Sequence, residues 1–313
     1  MRAVRYDRYG AAEVAKVVDA PAPSPEAGTY LVRVHAAALN PKDVLVRKGK
    51  FRWFAGLHFP KAMGYDWAGE IVEGDAAFTP GTRVFGMIQS WNAGAFGELC
   101  RVQPDECARA PRGLSYTEAA GLPLASLTAL QALRDEGHVG PGHRVLLHGA
   151  SGGVGVFAIQ LAKALGAYVV TTSSEKNREL CASLGADETL DYTKVDFRSG
   201  SSKGPFDAFF DVFGNQSFTK VREILSPQGT YVSTVPAPRV IVDTLLTPLR
   251  TRRRARLVVV RSNRADLDLL CRFVAEKKLR PVIDATFPLA EIEEACRRVE
   301  SKRARGKVVL TID

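Results

Sequence analysis

The sequence predicts an α/β protein, because a β-rich first part is followed by a second part in which strands and helices alternate. Residues 1 to about 120 contain short apolar runs between Gly/Pro turns, among them YLVRVHAAAL and TRVFGMI, which is typical of a compact β-rich unit. From about Leu122, strand-like segments such as RVLLHGA and FDAFFDV alternate with segments of helical periodicity. That alternation predicts a doubly wound parallel sheet. A chain of 313 residues is long enough for both domains.

A glycine-rich turn follows the first strand of the second part. Its pattern is A-x-G-x-x-G, directly after RVLLHG and directly before the apolar helix VGVFAIQLAKALG. Small residues let the backbone approach a pyrophosphate, and a helix N-terminus offers free N–H groups and partial positive charge. A turn without a ligand is the alternative interpretation. The residues expected to bind a dinucleotide here are Ala150, Ser151, Gly152, Gly153, Val154 and Gly155.

The end of the next strand, within YVVTTSSEK, predicts which dinucleotide binds. NAD sites usually have an acid at this position, which holds the ribose hydroxyls, whereas this sequence has Ser174. Hydroxyls and an ammonium can instead surround the 2′-phosphate of NADPH. We expect Glu175 to open the following helix and point to solvent, and an ordinary solvated lysine is the alternative for Lys176. The residues assigned to the phosphate are Ser173, Ser174, Lys176 and Tyr192.

The remaining segments of the second part are two strands, an apolar segment and an arginine run. The strands FDAFFDV and GTYVST end near Phe213 and Val235, and in a parallel sheet such carboxyl ends face the cofactor. SGSSKG between them is expected to be a loop. VIVDTLLTPL is expected to be a helix or a lid, at a subunit interface or over the substrate. TRRRAR lacks interleaved aromatic residues and leads into the strand-like LVVV, which favours a solvated face over a nucleic-acid site.

The C-terminal residues predict a return to the first domain. A helix is expected near residues 265–277, and a second over PLAEIEEACRRVES, opened by Pro288. KVVLTI is expected to be a closing strand that pairs with the β-rich part. The predicted domains are 1–121 together with 266–313, and 122–265.

The composition is that of a globular protein, with 46% hydrophobic and 25% charged residues. No apolar stretch reaches membrane-spanning length, and MRAVRYDRYG lacks the apolar core of a secretory signal. The five cysteines are never spaced as CxxC, which indicates reduced thiols. We therefore expect a cytoplasmic protein with no membrane partner. The net charge of +9 fits a phosphorylated ligand.

Taken in order, these motifs resemble the medium-chain dehydrogenase/reductase superfamily, and within it the zinc-independent, zeta-crystallin-like quinone oxidoreductase group. The resemblance covers essentially the whole chain, through ALNPKD, MGYDWAGEIVEGD, PGTRVFG, LPLASLTALQAL, HGASGGVG, SLGADETLDY and GKVVL. It implies a GroES-like catalytic domain, formed by the N-terminal part and the C-terminal tail, with a Rossmann domain inserted between them. It also implies a homodimer, because the Rossmann domains of this family commonly pair at their edges.

The resemblance further shows which zinc ligands this chain lacks. Zinc-dependent members have a cysteine near ALNPKD, a His-Glu pair near MGYDW and a cysteine near LPLAS. The corresponding residues here are Asn40, Tyr65 with Asp66, and Leu124. Only Asp66 could ligate a metal, so we expect no metal site.

Roles for several other residues follow from the same resemblance. Asn40 is expected where the nicotinamide meets the substrate carbonyl, so its amide would bind one of them; an Asx-type turn before Pro41 is the alternative. Tyr65 is expected to be a proton donor or a wall of the cleft. Thr128 and Lys307 are expected beside the cofactor, with a backbone-bonded threonine and a solvated lysine as alternatives.

Two functional hypotheses follow. The first is an NADPH-dependent oxidoreductase that transfers hydride to a quinone or an α,β-unsaturated carbonyl compound. Zinc is the main source of charge stabilisation in alcohol oxidation, and this chain lacks the zinc ligands, so an activated alkene or quinone is the easier substrate. The second is an NADPH-binding protein with a structural or interaction role and weak activity. An apolar substrate cleft is suggested by Phe51, Trp53, Phe54, Trp91 and Phe96.

Overall fold

The computed structural model describes residues 1–24, 26–198 and 205–312, so the predicted loop SGSSKG lies outside the described residues. The chain forms two compact units. The first contains Met1–Leu127, Arg261–Lys277 and Pro281–Asp313, and the second contains Thr128–Val260 and Lys278–Arg280. The domain limits expected from the sequence, 1–121 with 266–313 and 122–265, stay a prediction.

The N-terminal part of the first unit is mostly β-structure, as its alternating apolar residues predict. Its strands are β1 (Arg2–Tyr6), β2 (Lys16–Asp19), β3 (Tyr30–Leu39), β4 (Lys61–Ala62), β5 (Asp66–Glu73), β6 (Arg83–Met87), β7 (Leu99–Val102) and β8 (Cys107–Arg109). Its helices are α1 (Pro41–Arg47), α2 (Arg52–Ala55) and α3 (Tyr116–Ala120), with 3₁₀ turns at Ala12–Val14 and Pro104–Glu106.

The second unit is a parallel sheet with helical crossovers. Its elements are α4 (Pro123–Gln131), which leads into it, β9 (Arg144–His148), α5 (Gly155–Ala164), β10 (Tyr168–Ser173), α6 (Glu175–Ser183), β11 (Glu188–Asp191), β12 (Phe206–Asp211), α7 (Phe218–Val221), β13 (Leu225–Ser233), α8 (Pro238–Arg250) and β14 (Arg254–Leu257). A π-helical turn covers Ala132–Glu136, and a 3₁₀ turn covers Arg222–Ile224. The strand order is β11-β10-β9-β12-β13-β14, and every pair is parallel. This confirms the doubly wound sheet, in which the order reverses between β9 and β12.

The chain then returns to the first unit through α9 (Arg264–Ala275), β15 (Ile283–Pro288), a 3₁₀ turn (Leu289–Glu291), α10 (Ile292–Glu300) and β16 (Lys307–Thr311). β16 pairs antiparallel with β3, so the predicted return of the C-terminal strand is confirmed. The larger sheet of this unit has the order β15-β16-β3-β5-β6-β8, with β7 also paired to β3. A separate sheet has the order β2-β1-β4.

Two expected element positions were wrong. The strand predicted at LVVV is instead β14, which contains part of the arginine run; Ala255 is buried there between two half-buried arginines. The positions that alternate with Ala255 are therefore arginines. Arg254 donates to the Thr251 and Arg253 carbonyls, and Arg256 lies 3.8 Å from the Glu136 carboxylate. Pro288 is the N-cap of the 3₁₀ turn Leu289–Glu291, and the α-helix expected from Pro288 begins only after that turn, at Ile292.

Each unit has its own apolar core. Trp67 and Phe96 are buried in the first unit, and Phe209 and Tyr231 are buried in the second. Burying one large apolar side chain contributes about 1.5–3 kcal/mol. Among the described residues, no helix combines the length and apolar character needed to cross a bilayer.

Candidate functional site

The glycine turn, residues 149–154, joins β9 to α5 in the second unit. Gly149 has a φ of +83°, and a Cβ there would lie 3.1 Å from the Cβ of Phe213. A Cβ on Gly155 would lie only 2.5 Å from the backbone oxygen of Ala150. Because that neighbour is backbone, it cannot move aside easily. Glycine at these two positions is therefore required by the turn and by the close packing of α5.

The outer surface of the glycine turn is open. Ser151, Gly152, Gly153 and Val154 are half-buried, whereas Ala150 is fully buried. A Cβ on Gly152 would meet nothing closer than a backbone oxygen at 3.6 Å. At the start of α5, the Val156 and Ala158 N–H groups already donate to the Gly152 and Val154 carbonyls, at 3.1 Å and 2.9 Å. The partial positive charge of the helix N-terminus still favours an anion beside the turn. This part of the turn leaves room for a phosphate to approach the backbone.

The end of β10 brings together the residues assigned to a 2′-phosphate. Ser173 is buried, and its hydroxyl donates to the Ser174 carbonyl at 3.2 Å. Ser174 is the N-cap of α6, and its own hydroxyl makes no hydrogen bond to a described residue. Lys176 and Tyr192 are exposed, and Lys176 forms no ion pair within the described ranges. Three of the four predicted side chains therefore present unused donors.

The nearby Glu175 carboxylate is paired with two cationic side chains. It accepts from Lys194 at 2.8 Å and from Arg178 at 3.0 Å, and it is exposed. The hydrogen bond from Lys194 is the main reason that the pKa of Glu175 is lowered. This carboxylate is therefore part of a surface ion-pair group.

Sequence reasoning missed Asn177. Its amide Nδ2 donates to the Ser151 hydroxyl at 2.9 Å, while its Oδ1 is buried without a partner among the described residues. The contact joins the first turn of α6 to the glycine turn. No sequence pattern singles out this asparagine, because the contact depends on how two parallel strands and their helices align.

The carboxyl ends of β12 and β13 carry two further predicted residues. Phe213 is 49% exposed and Val235 is 38% exposed, just beyond these strand ends. Asp211 fixes the loop after β12, because its carboxylate accepts from the backbone N–H groups of Gly214 and Gln216 at 2.8 Å each. Thr128 lies in α4 and is buried.

In the first unit, three strand ends meet. Asn40 directly follows β3, Asp66 begins β5, and Lys307 begins β16. Both partner strands run antiparallel to β3: Asp66 pairs with Ala38, and the residue after Lys307 pairs with Leu39. Antiparallel pairing therefore brings the end of one strand beside the starts of two others.

We call Asn40, Asp66 and Lys307 the Lys307 cluster. The Lys307 ammonium donates to Asn40 Oδ1 and lies 3.2 Å from Asp66 Oδ2. Asn40 Nδ2 donates to the same carboxylate oxygen at 3.0 Å, and the Leu124 backbone N–H donates to the other at 2.8 Å. The three side chains are 2%, 0% and 2% exposed, respectively. The cluster is a closed, hydrogen-bonded ion pair within the protein.

The Asn40 side chain has no unused polar atom. Besides its bonds in the cluster, Nδ2 lies 3.3 Å from the Ala38 carbonyl. Its backbone N–H donates to Asp43 Oδ2 at 2.8 Å as part of the N-terminal cap of α1. Burial raises the pKa of Asp43 to about 7, and the Asp43 Oδ1 atom has no described partner.

Tyr65 and Lys42 lie next to this cap. Tyr65 is 1% exposed, and its hydroxyl has no partner among the described residues. Burial raises the pKa of Tyr65, so the phenol stays neutral. The Lys42 ammonium lies 3.8 Å from the centre of the Tyr65 ring and 5.1 Å from that of Trp91. Sequence reasoning missed Lys42, although it belongs to the ALNPKD segment.

The five aromatic residues that the sequence analysis assigned to a substrate cleft divide into two groups. The rings of Phe51 and Phe54 lie 5.3 Å and 5.5 Å from the Trp91 ring, and Trp53 is 84% exposed. Phe96 belongs to the core. Phe51, Phe54 and Trp91 therefore form a shared aromatic surface, whereas Trp53 is exposed by itself.

Comparisons with known proteins match both parts of the chain. The model of the alcohol dehydrogenase GroES-like domain matches residues 26–112, and that of the zinc-binding dehydrogenase family matches residues 184–310. The chain is 34% identical to the chloroplastic quinone-oxidoreductase QR1 of Triphysaria versicolor, over 99% of this chain and 98% of the relative. The chain belongs to the medium-chain dehydrogenase/reductase superfamily.

Other members agree with this assignment. The mitochondrial NAD(P)H oxidoreductase RTN4IP1 of Homo sapiens is 33% identical, over 90% of this chain and 81% of the relative. The solved structure of the quinone oxidoreductase from Coxiella burnetii has a TM-score of 0.91 and 34% identity, covering 100% of this chain and 99% of the other. The superfamily is one of oxidoreductases that use a nicotinamide cofactor. The open glycine turn and the unused donors at the end of β10 fit such a cofactor.

The residues present do not fit the catalytic zinc site of the zinc-dependent members of this superfamily. Among the described residues, no group of three or more His, Cys, Asp or Glu side chains lies close enough to hold a metal ion. Asp66, the one acidic residue at the expected position, is already paired with the Lys307 ammonium. A catalytic zinc needs three protein ligands, and an adjacent ammonium opposes a second cation.

Proposed function

We propose that this chain is an NADPH-dependent reductase of quinones and α,β-unsaturated carbonyl compounds that acts without zinc. The observation that carries the proposal is the Lys307 cluster. At two of the positions where the resemblance places zinc ligands, this chain has the Asn40 amide and the Asp66 carboxylate, and both are bonded to each other and to the Lys307 ammonium. Because these groups already bind one another, they are not free to ligate a metal ion.

The choice of substrate class follows from the lack of a Lewis acid. Alcohol oxidation builds charge on one alkoxide oxygen, which zinc stabilises in zinc enzymes. A quinone or enone spreads that charge over a conjugated system, so hydrogen-bond donors suffice. When bound, NADPH supplies the hydride to a carbon of this system. The substrate oxygen then needs a proton from a side chain or from water.

We assign the two predicted catalytic residues different roles. The Tyr65 hydroxyl is neutral and unpaired within the described ranges, so it supports the role of hydrogen-bond donor to a bound substrate. The Asn40 amide is occupied by Asp66 and Lys307, which supports a positioning role. Asn40→Ala is therefore expected to lower kcat more than it weakens NADPH binding.

NADPH, rather than NADH, is supported by the end of β10. Ser174, Lys176 and Tyr192 present donors there, and Glu175 is held by two cations. A phosphate group would gain charge-assisted hydrogen bonds from such donors. The other residues proposed for cofactor binding are Thr128, Ala150, Ser151, Gly152, Gly153, Val154, Gly155, Ser173, Phe213, Val235 and Lys307, to which we add Asn177.

A homodimer is part of the proposal and is supported by α8. Ile241, Val242, Leu245 and Leu249 are 44%, 49%, 67% and 82% exposed on this helix. Spacings of three, four and eight residues place them on one helix face. Leu245→Glu with Leu249→Glu is expected to give a monomer in sedimentation experiments, whereas Arg250→Glu should leave the dimer intact. A monomeric unmutated chain would remove this part of the proposal.

A cytoplasmic location is also proposed. It is supported by the five free cysteines, four of which are buried. Relatives named above are chloroplastic or mitochondrial, so cell fractionation is the appropriate test.

The main test is NADPH oxidation with a panel of quinones, enones and simple alcohols. The proposal predicts turnover with quinones or enones and little reaction of alcohols with NADP⁺. NADPH binding without turnover on any member would favour the alternative, a dinucleotide-binding protein with a structural or interaction role.

A further inference from the structure

Lys42 is a cation held by aromatic rings. Its ammonium lies 3.8 Å from the centre of the Tyr65 ring and 5.1 Å from that of Trp91. It makes no hydrogen bond or ion pair with any residue in the described part of the chain, and the residue is half-buried. A ring face attracts a cation but accepts no conventional hydrogen bond. All three N–H donors of this ammonium are therefore unused.

This arrangement differs from that of Lys307, a fully buried lysine of the same unit. Lys307 is 2% exposed and is bonded to Asn40 and Asp66. Lys42 instead borders the aromatic surface formed by Phe51, Phe54 and Trp91. A planar conjugated ring can stack on such a surface. The free ammonium then lies at the edge of a place suited to a quinone.

We propose that Lys42 is a catalytic residue that donates a hydrogen bond, and then a proton, to the substrate oxygen that gathers negative charge during reduction. The inference rests on the proposed function. NADPH gives a hydride to a substrate carbon and becomes NADP⁺, the π electrons of the conjugated system move to the oxygen, and the Lys42 N–H bond breaks as the O–H bond forms. The neutral amine then takes a proton from water, so the sum is substrate, NADPH and one proton giving reduced substrate and NADP⁺.

Burial changes the pKa of Lys42 and that of its neighbour Tyr65 in opposite directions. Burial lowers the pKa of Lys42, and the charges of Asp43, Asp66 and Glu106 oppose that effect only in part. Burial raises the pKa of Tyr65. The ammonium is thus made a better acid, while the phenol is made a worse one. Tyr65 supports the lysine through its ring face and retains its own proton.

The test compares Lys42→Met, Lys42→Arg and Tyr65→Phe with a control, Lys50→Met, at an exposed lysine nearby. Lys42→Met is expected to lower kcat about 10²-fold, the typical loss of one donor to a developing oxyanion, with an unchanged Kd for NADPH. Lys42→Arg should recover most of the hydride-transfer rate, because it keeps the charge. It should lose the alkaline fall in kcat that deprotonation of Lys42 causes. Tyr65→Phe should cost less than about tenfold, and the control nothing.

A binding measurement keeps the inference independent of turnover. 4-Nitrophenolate, a planar oxyanion, is titrated by its absorbance into the unmutated protein and the same variants, after circular dichroism has confirmed that each is folded. Binding should weaken at least about tenfold in Lys42→Met and recover in Lys42→Arg. If the protein reduces nothing yet binds the phenolate through Lys42, the proposed function fails and the oxyanion site stands. Wild-type kcat, pH profile and phenolate affinity in Lys42→Met would overturn the inference, as would a larger loss in Tyr65→Phe.

Discussion

The glycine turn and the Lys307 cluster place functional groups in opposite ways. The turn uses backbone and small residues that are contiguous in the sequence, between His148 and Gly155. The cluster uses three side chains from residues 40, 66 and 307, which antiparallel pairing brings together. A local motif can be interpreted from its spacing alone, whereas a cluster of distant residues needs the strand register. The two regions should therefore respond differently to substitution.

The largest effect is expected in the cluster. Lys307→Met leaves the Asp66 carboxylate buried without its cation, and breaking a buried ion pair costs about 3–5 kcal/mol. Urea unfolding at neutral pH measures the loss, with Lys50→Met as the control. Adding Asp66→Asn to Lys307→Met removes the unpaired charge and should restore a large share of the stability. Unchanged unfolding of Lys307→Met would contradict the ion pair.

Substitutions at the end of β10 should change affinity while leaving stability intact. Each hydrogen bond to a charged group contributes about 1.5–3 kcal/mol, so one lost contact means roughly tenfold or more in Kd. Ser174→Asp should weaken NADPH strongly and NADH little, because its carboxylate repels phosphate but can accept ribose hydroxyls. Lys176→Ala should weaken NADPH alone. Fluorescence titration of both cofactors measures this, and equal affinities in the unmutated protein would count against the assignment.

Two glycines of the turn motif give a matched pair. Gly155→Ala puts a Cβ 2.5 Å from a backbone oxygen, and overpacking of this kind costs about 1–3 kcal/mol. Gly152→Ala meets nothing closer than 3.6 Å, so its thermal unfolding should match that of the unmutated protein. Its added methyl group should still weaken NADPH binding, because it faces the open side of the turn. Equal stability losses in the two variants would contradict this division.

The cap of α1 should make stability depend on pH. Burial raises the pKa of Asp43 to about 7, above the ordinary value of 3.8. Between these values the folded state binds a proton that the unfolded state has released, so the free energy of unfolding falls as pH rises. The slope approaches about 1.4 kcal/mol per pH unit for one group. Asp43→Asn should flatten the fall between pH 4 and pH 7, as measured by urea unfolding, and an unchanged slope would exclude Asp43 as its source.

Features that depend on contiguous residues could be predicted from the sequence. The doubly wound sheet, the glycine turn and the return of the last strand depend on local periodicity and on pairing rules, and the structure confirms them. The strand expected at LVVV was misplaced. In β14, arginines occupy positions on either side of the buried Ala255, and a search for apolar runs overlooks such a strand.

The side-chain partners could not be predicted in this way. The solvated lysine considered for residue 307 is wrong, because the Lys307 ammonium is buried and bonded to two residues more than 200 positions earlier. The sequence analysis assigned no role to Lys42 of the ALNPKD segment. Residue spacing in the sequence does not show that the Lys42 ammonium lies over the rings of Tyr65 and Trp91. Asn177 likewise contacts Ser151 through the alignment of separate crossovers. Such contacts depend on register and rotamer, which one sequence does not specify.

We propose that the Lys307 cluster stands in the place of a catalytic zinc in an NADPH-dependent reductase. The most direct test measures zinc content and quinone-dependent NADPH oxidation on the same sample, before and after treatment with a chelator. We expect no stoichiometric zinc and the same rate in both states. About one tightly held zinc per chain, with activity lost on chelation and restored by added zinc, would contradict it.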